Sequence, residues 1–366
     1  RDFCLSRGLG DVYKRQARTF RNLGDAYGET NQKQTGFKRQ LILAADILEE
    51  CVAMNLDAKA PDKQERREFE RKCMAMGISV KDIKLVDGKR REILVTAKTF
   101  MKGCVSERVL RETVSSVFKA KFFSNQDNRV IINEEPDQYV FYQENRFRIL
   151  SGMARKCKEE ENTSGDNFLL KKLNCGKMVA AIADGCGSGK RAFAESRMVI
   201  ELMENCIEAG FEEKTAIDLI NSAYIAGTTF NNPVTMDMSI IDCQAGVINC
   251  IKLGAVSTFI KRDNWVEIIK STTLPMGVLE QVDYDCTTKK LYDGNYIIMI
   301  SDGVLDNLSG INKEEQMVEI INNINVKKPA GIAKKILEES LKNHNMEAFD
   351  DCTVMVLGVF DTYVNV

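Results

Sequence analysis

Met178-Val179-Ala180-Ala181-Ile182-Ala183-Asp184-Gly185 and, far along the chain, Tyr296-Ile297-Ile298-Met299-Ile300-Ser301-Asp302-Gly303 have one form: an apolar run that ends in Asp-Gly. Short apolar runs bounded by turn residues read as buried β-strands. A third acidic motif, Asp350-Asp351-Cys352-Thr353, stands just before the apolar run that ends at Phe360. An apolar strand ending in Asp delivers a rigid carboxylate to the edge of a sheet. Several such edges converging make a negative, oxygen-rich cavity of the kind that hard divalent cations neutralise, Mg²⁺ or Mn²⁺ rather than zinc. One Asp-Gly alone is a common turn dipeptide. Two after near-identical strands, with Asp-Asp before a third, are poorly explained by turns.

Around these motifs the chain alternates short β-rich runs with helical patterns. Strands are expected at Phe147–Ala154, Met178–Ala183, Met236–Asp242, Gly246–Leu253, Thr258–Lys261, Trp265–Ile269, Tyr296–Ile300 and Thr353–Phe360. Helices are expected at Arg191–Ala209, with Gly210 as its stop, at Glu213–Tyr224, after the capping pair Asn312 and Glu315, and at Ala330–Leu341. Many strands with helices but no strict βαβ alternation indicate an α+β fold, helices laid over a sandwich of antiparallel sheets.

Upstream the texture differs. Phe37–Met54 carries Leu41, Ala44, Leu48 and Val52 at helical spacing, and Asp62–Met76 reads as a highly charged second helix with a solvated face. Val80–Leu85, the turn Asp87-Gly88 and Glu92–Ala97 read as a hairpin, and Ser106 as the cap of a helix to about Phe118. No catalytic constellation lies there, so regulation or self-association into a homo-oligomer is expected of residues 17–136, and catalysis of residues 137–362. Asp11–Gln16 resembles the translation of a transposon-end adapter from sequencing libraries, so residues 1–16 are set aside. Whatever natively precedes residue 17 is then expected to be missing.

With 51 Lys+Arg against 53 Asp+Glu the charge is balanced, and no basic excess points to a nucleic-acid partner. No run approaches the roughly 18 apolar residues of a membrane helix. The 12 cysteines include no Cys-x-x-Cys pair and fall mostly in apolar periodic stretches, as reduced core cysteines do. A single histidine, His344, excludes any mechanism needing both a His base and a His ligand.

Ser164-Gly165-Asp166, the segment from Ala183 to Ala192, Leu274-Pro275-Met276-Gly277, Ser301-Asp302-Gly303 and Asp350-Asp351-Cys352-Thr353 occur in that order. They resemble the motifs of the metal-dependent (PPM-type) serine/threonine protein phosphatases, most closely the stage II sporulation protein E family of endospore-forming bacteria. Met236–Asp242 and Phe259–Arg262 strengthen the closer likeness. The catalytic resemblance runs over residues 143–360, and a weaker one to the family's regulatory segment over 78–123.

The resemblance implies an α-β-β-α sandwich holding two divalent cations, Mn²⁺ or Mg²⁺. Asp184 would bridge them, the Gly185 carbonyl would bind the first, and Asp302 and Asp350 the second. Asp166 would reach a metal through water, and Asp351 would stand behind the ligands. Phosphoserine would be hydrolysed by attack of a metal-bound water, two ions being able to lower its pKa and shield the phosphate. The implied partner is a small phosphorylated anti-anti-sigma factor whose dephosphorylation activates a sporulation sigma factor. The implied setting is cytoplasmic, with membrane attachment through an N-terminal region that this sequence lacks. Two departures stand out. The turn Cys186-Gly187-Ser188-Gly189-Lys190 replaces the family's more usual Met-Gly-Asn-Gly-Glu, and Lys158–Asn162 lacks the phosphate-binding Arg that many members place there.

Two other readings of the same segment compete. As a nucleotide-binding loop it has Asp184 where the first Gly should stand and Arg191 in place of Ser/Thr. As a cysteine-phosphatase loop it is one residue too short between Cys186 and Arg191. A non-catalytic scaffold is opposed by the complete set of aspartates.

Overall fold

The computed structural model describes residues 18–19 and 58–362, apart from 88–90, 101–102, 126, 160, 162, 174–175, 188, 210, 227–231, 264 and 280. The expected helix Phe37–Met54 and the segment 1–16 lie outside the described residues. The described chain forms two compact units that part between Asn145 and Arg146.

The first unit holds β1 (Ala58–Lys59), α1 (Lys63–Ala75), β2 (Ile78–Asp87), β3 (Arg91–Thr99), β4 (Val105–Ser106), α2 (Glu107–Val117), β5 (Phe122–Ser124), β6 (Ile131–Ile132) and β7 (Asp137–Gln143). Its antiparallel sheet has the order β1-β2-β3-β7-β5. Asp62 caps α1 by accepting from the Gln64 amide at 2.6 Å, and Ser106 caps α2 through the Arg108 amide at 3.3 Å. Phe69 and Cys73 of α1 and Leu110, Val114 and Val117 of α2 pack on Ile83, Ile93 and Val95 of the sheet. The change of texture after Pro136 therefore marks a turn within this sheet, because β7 pairs with β3.

The second unit is a four-layer sandwich. Its first sheet has the order β15-β12-β11-β10-β9 and its second β14-β13-β16-β17-β8. Their ranges are β8 Phe147–Lys156, β9 Asp166–Lys172, β10 Lys177–Gly185, β11 Val234–Asp242, β12 Val247–Leu253, β13 Thr258–Lys261, β14 Val266–Ile269, β15 Asp285–Lys290, β16 Tyr296–Ile300 and β17 Cys352–Asp361. The helices are α3 (Gly189–Glu208), α4 (Glu213–Ala226), α5 (Asp302–Asp306), α6 (Lys313–Asn323) and α7 (Pro329–Leu341).

Side chains alternate across each strand, and the central strands are apolar on both faces. Val179, Ala181 and Ala183 of β10 meet α3 and α4 with Met236 and Met238 of β11. Ala180 and Ile182 turn the other way, onto Ile260, Met299, Met355 and Leu357 of the second sheet. Ile298, Ile300, Val354 and Val356 face α6 and α7. The expected α+β architecture, an α-β-β-α sandwich, is the one observed.

β9 and β15 were not expected from the sequence. Both are edge strands of the first sheet. An edge buries little on its outer side, so β15, Asp-Cys-Thr-Thr-Lys-Lys, shows no apolar period.

Lys261, part of the Phe259–Arg262 motif, has a structural task. Its ammonium donates to the carbonyls of Ile321 and Ile324 at 2.8 and 2.7 Å, satisfying the end of α6 while burial lowers its pKa. Lys261→Met should strand the Ile324 carbonyl, Ile321 keeping the Ile324 amide, and cost about 1–3 kcal/mol, read as a lower urea midpoint with the sandwich still folded.

Candidate metal centre

The register of the sandwich assembles the acidic motifs. Asp166, the first residue of β9, is the direct cross-strand partner of Asp184 near the end of β10. Cross-strand partners share a face, and Asp184 follows Ala180 and Ile182 at intervals of two, so both carboxylates lie on the face turned to the second sheet. From that sheet, β16 runs into Ser301 and Asp302, and Asp350 and Asp351 lead into β17. The Ser301 amide donates to the Thr353 carbonyl at 3.0 Å, and the Thr353 amide donates to Ser301 Oγ at 2.9 Å. Thr353 Oγ1 then crosses between the sheets to donate to Asp166 Oδ2 at 2.6 Å.

Two glycines are explained by close approach. A Cβ on Gly185 would stand 2.3 Å from the Ala192 carbonyl oxygen of α3, and one on Gly303 would stand 2.3 Å from the Asp351 carbonyl oxygen. Neither has a positive φ. The Asp-Gly pairs are therefore not left-handed turns; they are places where the strand end touches its neighbour.

The aspartates divide by what they bond. Asp351 is buried and spends both oxygens on backbone amides, Lys158 at 2.9 Å and Gly165 at 2.6 Å, so it anchors the loop leading to Asp166. Asp350 Oδ1 accepts from the Asp351 amide at 2.9 Å and Asp302 Oδ1 from the Gly303 amide at 2.8 Å, which leaves each a second oxygen. Asp166 is 1% exposed, and its Oδ1 is buried with no hydrogen-bond partner. Asp184, Asp302 and Asp350 are half-buried.

Burial, then the charges of Asp166, Asp302, Asp350 and Asp351, push Asp184 up to about 9. Burial raises Asp166 to about 7, against hydrogen bonds from Thr353 and Ser301 that pull it down. Asp302 is also raised, by burial first and Asp350 next. Two like charges about 4 Å apart repel by about 4 kcal/mol at an effective dielectric of 20, more than a hydrogen bond returns.

The donor set fits hard divalent cations: every donor is an oxygen, the charges are mutually repelling, and one buried carboxylate oxygen lacks a partner. Among the described residues no three acidic, His or Cys side chains close on a single point.

Two polar residues at this end escaped the sequence reading. Arg155, on β8, places Nε 3.2 Å from Thr353 Oγ1 and an Nη 2.6 Å from the Asp166 carbonyl, over the Phe168 ring. It comes before the Lys158–Asn162 stretch, and only the β8–β17 register, which sets it opposite Thr353, brings it here. Asn307, fully buried, donates its amide to the Gly303 carbonyl at 2.6 Å and to Cys352 Sγ at 3.4 Å, tying the two acidic segments of the second sheet together. No local sequence signal marks it. Cys186 is exposed. His344 is engaged with the Asn307 carbonyl at 3.0 Å and meets the Phe349 ring edge-on.

A family model described as Stage II sporulation protein E matches residues 174–360. The chain belongs to the stage II sporulation protein E family. Stage II sporulation protein E of Bacillus subtilis is 30% identical over 258 residues, 69% of this chain and 31% of that protein. The Priestia megaterium relative is 34% identical over 211 residues, 57% of this chain and 36% of its own. The chain thus spans about a third of the length of these curated relatives.

A solved structure of the PP2C phosphatase domain of SpoIIE from Bacillus subtilis, with a fragment of its regulatory domain, superposes with a TM-score of 0.62 at 26% identity, over 82% of this chain and 88% of that one. The phosphatase domain alone, in a crystal form without domain swapping, gives 0.50 at 31% identity, over 60% of this chain and 96% of that one. The stage II sporulation protein E family is one of PP2C-type serine/threonine phosphatases, and this chain carries the fold of its phosphatase domain. Among the described residues no helix is long and apolar enough to cross a membrane.

The raised carboxyls set a pH dependence. A folded-state pKa near 9 for Asp184, against about 3.9 unfolded, means that the native state holds more protons in between. Stability is then full below the unfolded value and falls as pH rises toward 9. In EDTA, melting temperature should fall from pH 5 to pH 9. Mn²⁺ should raise it most at the alkaline end, and Asp184→Asn should flatten the fall; a thermal-shift series reads all three.

Proposed function

We propose that this chain is a phosphoprotein phosphatase that hydrolyses phosphoserine with two divalent cations, Mn²⁺ or Mg²⁺. The observation that carries the reading is the convergence of Asp166 and Asp184 from one sheet with Asp302 and Asp350 from the other at one end of the sandwich. Asp184 would touch both ions, the Gly185 carbonyl the first, Asp302 and Asp350 the second, and Asp166 an ion through water. When bound, the ions supply an activated water and shield the phosphate.

The chain's own side chains do the rest. The Arg155 guanidinium, exposed on the rim beside Thr353, offers a planar fork suited to two phosphate oxygens. It fills the place that the Lys158–Asn162 stretch leaves open. Asp351 holds the loop that brings Asp166 into place. No side-chain nucleophile is needed: Cys186 is free but dispensable in this reading, and His344 is occupied elsewhere.

The substrate we propose is a small phosphoserine anti-anti-sigma factor, dephosphorylated to activate a sporulation sigma factor. Support comes from membership of the sporulation family. The fit is of chemistry: a phosphomonoester on a protein surface would meet the cations that these carboxylates would hold.

Purified chain with Mn²⁺ should release phosphate from a phosphoserine protein, and a chelator should abolish the release. Asp184→Asn should lower kcat by orders of magnitude with the fold intact, while Cys186→Ser keeps most activity. Arg155→Ala should raise KM about tenfold or more with Mn²⁺ affinity little changed. Near wild-type turnover in Asp184→Asn at saturating Mn²⁺ would remove that residue from the site, and activity surviving chelation would remove the metal mechanism.

A further inference from the structure

The apolar layer between the two sheets is interrupted by a second polar group, next to the acidic cluster but not part of it. Asp237 on β11 and Lys252 on β12 are register partners, and their side chains pair at 2.9 Å with 2% and 1% exposure. Lys252 Nζ also donates to the Val256 carbonyl at 2.6 Å. Thr258 Oγ1, buried on β13 of the opposite sheet, donates across the gap to Asp237 Oδ2. Asp237 Oδ1 is buried and without a hydrogen-bond partner.

Stability alone is a weak reason to bury such a pair. The desolvation of both charges offsets their attraction, and apolar residues of similar volume often serve as well or better. What an ion pair and a crossing hydrogen bond do supply is direction.

Their place in the sandwich gives that direction a use. Asp237 is the cross-strand partner of Ile182, two residues before Asp184 and on the same face. Strand geometry then puts its Cα about 8 Å from that of Asp184. Thr258 precedes Phe259, the partner of Ile298, so the same register continued sets Thr258 beside Met299, two residues before Ser301. On the other flank the Thr353–Asp166 bond joins β17 to β9. β10, which carries Asp184, lies between β9 and β11, and β16, which leads to Asp302, lies between β13 and β17. Each of these strands therefore runs between neighbours that a threonine–carboxylate bond ties to the opposite sheet.

We propose that Asp237, Lys252 and Thr258 form a positioning device. It fixes the spacing and register of the two sheets beside the acidic cluster, so that Asp184 from one and Asp302 from the other meet the same pair of cations. Lys252 supplies the counter-charge that lets Asp237 stand in an apolar layer. None of the three touches substrate; they act through the carboxylates, and the inference rests on the metal-site reading above.

The test uses the full chain and three readouts: Mn²⁺ affinity by calorimetry, the urea midpoint in EDTA, and kcat and KM on a phosphoserine protein. Thr258→Val deletes only the crossing bond at nearly constant volume, and Thr258→Ser keeps it. Asp237→Leu with Lys252→Met removes the pair without stranding a charge. Both the valine variant and the double variant should bind Mn²⁺ at least ~10-fold more weakly, as loss of an outer-shell support does, and lose kcat more than KM changes. The double variant's urea midpoint should equal or exceed the wild type's, while Thr258→Val, which takes one donor from a buried carboxylate, should lower it modestly; Thr258→Ser should restore affinity. Should Thr258→Val fail to fold, the double variant carries the same comparison. Wild-type Mn²⁺ affinity in the variants, or a loss that merely follows the urea midpoint with serine no better than valine, overturns the proposal. A wild-type chain that binds no Mn²⁺ overturns the metal-site reading, and this inference with it.

Discussion

Carboxylates gathered at the end of a sandwich repel one another, and the second unit can be read as the scaffold that holds them together nonetheless. Burial is the first cause of the upward shifts of Asp184 and Asp166; neighbouring carboxylates come next for Asp184, whereas hydrogen bonds oppose the shift of Asp166. A flexible loop would relieve such repulsion by moving. Here Asp184 ends a strand buried on both faces, Asp166 is bonded across the gap by Thr353, and Asp351 spends both its oxygens on the loop that carries Asp166. The repulsion is thereby stored in a rigid frame, where a cation of the right hardness can relieve it.

The frame was legible in the sequence wherever a strand is buried on two sides. Thr258–Lys261 and Tyr296–Ile300 were bounded to the residue, because apolar runs between turn signals admit few alternatives. The caps of α2 and α6 were legible for a different reason. Ser106 and Asn312 bond amides two or three residues on, so the signal is local. Edges were not legible. β15 is polar and half-exposed, β9 has only Phe168–Leu170 apolar between polar ends, and β7, after Pro136, pairs with β3 well upstream.

The site divides in the same way. Each aspartate announced itself by standing at the end of an apolar run or in a motif. Arg155 and Asn307 did not, because their meaning lies in register: Arg155 matters through its pairing with Thr353, and Asn307 through a side chain that reaches from Gly303 to Cys352. Long-range pairing leaves no periodic trace in a single sequence. The two Asp-Gly pairs were already poorly explained by turns, but what their glycines do was not legible: the structure needs them to let Ala192 and Asp351 come close.

An antiparallel sandwich suits this chemistry because its two sheets end together. Donors from one sheet alone would lie in a line at strand spacing, about 4.8 Å apart, and could flank a cation from one side only. Bringing Asp302 and Asp350 from the second sheet adds donors across the gap, so an ion can be approached from two directions. The price is that the geometry of the site depends on the register between sheets, which the strand ladders do not set. The Phe147 amide bonds the Cys243 carbonyl at 2.8 Å at the far end of the sandwich, so beside the acidic cluster the register rests on side chains in the gap. Apolar contacts between Ile182, Met299 and Met355 slide readily, since dispersion has no preferred direction. Threonine–carboxylate bonds do not slide, and the two that bridge the gap, Thr353–Asp166 and Thr258–Asp237, stand on the strands that border β10 and β16.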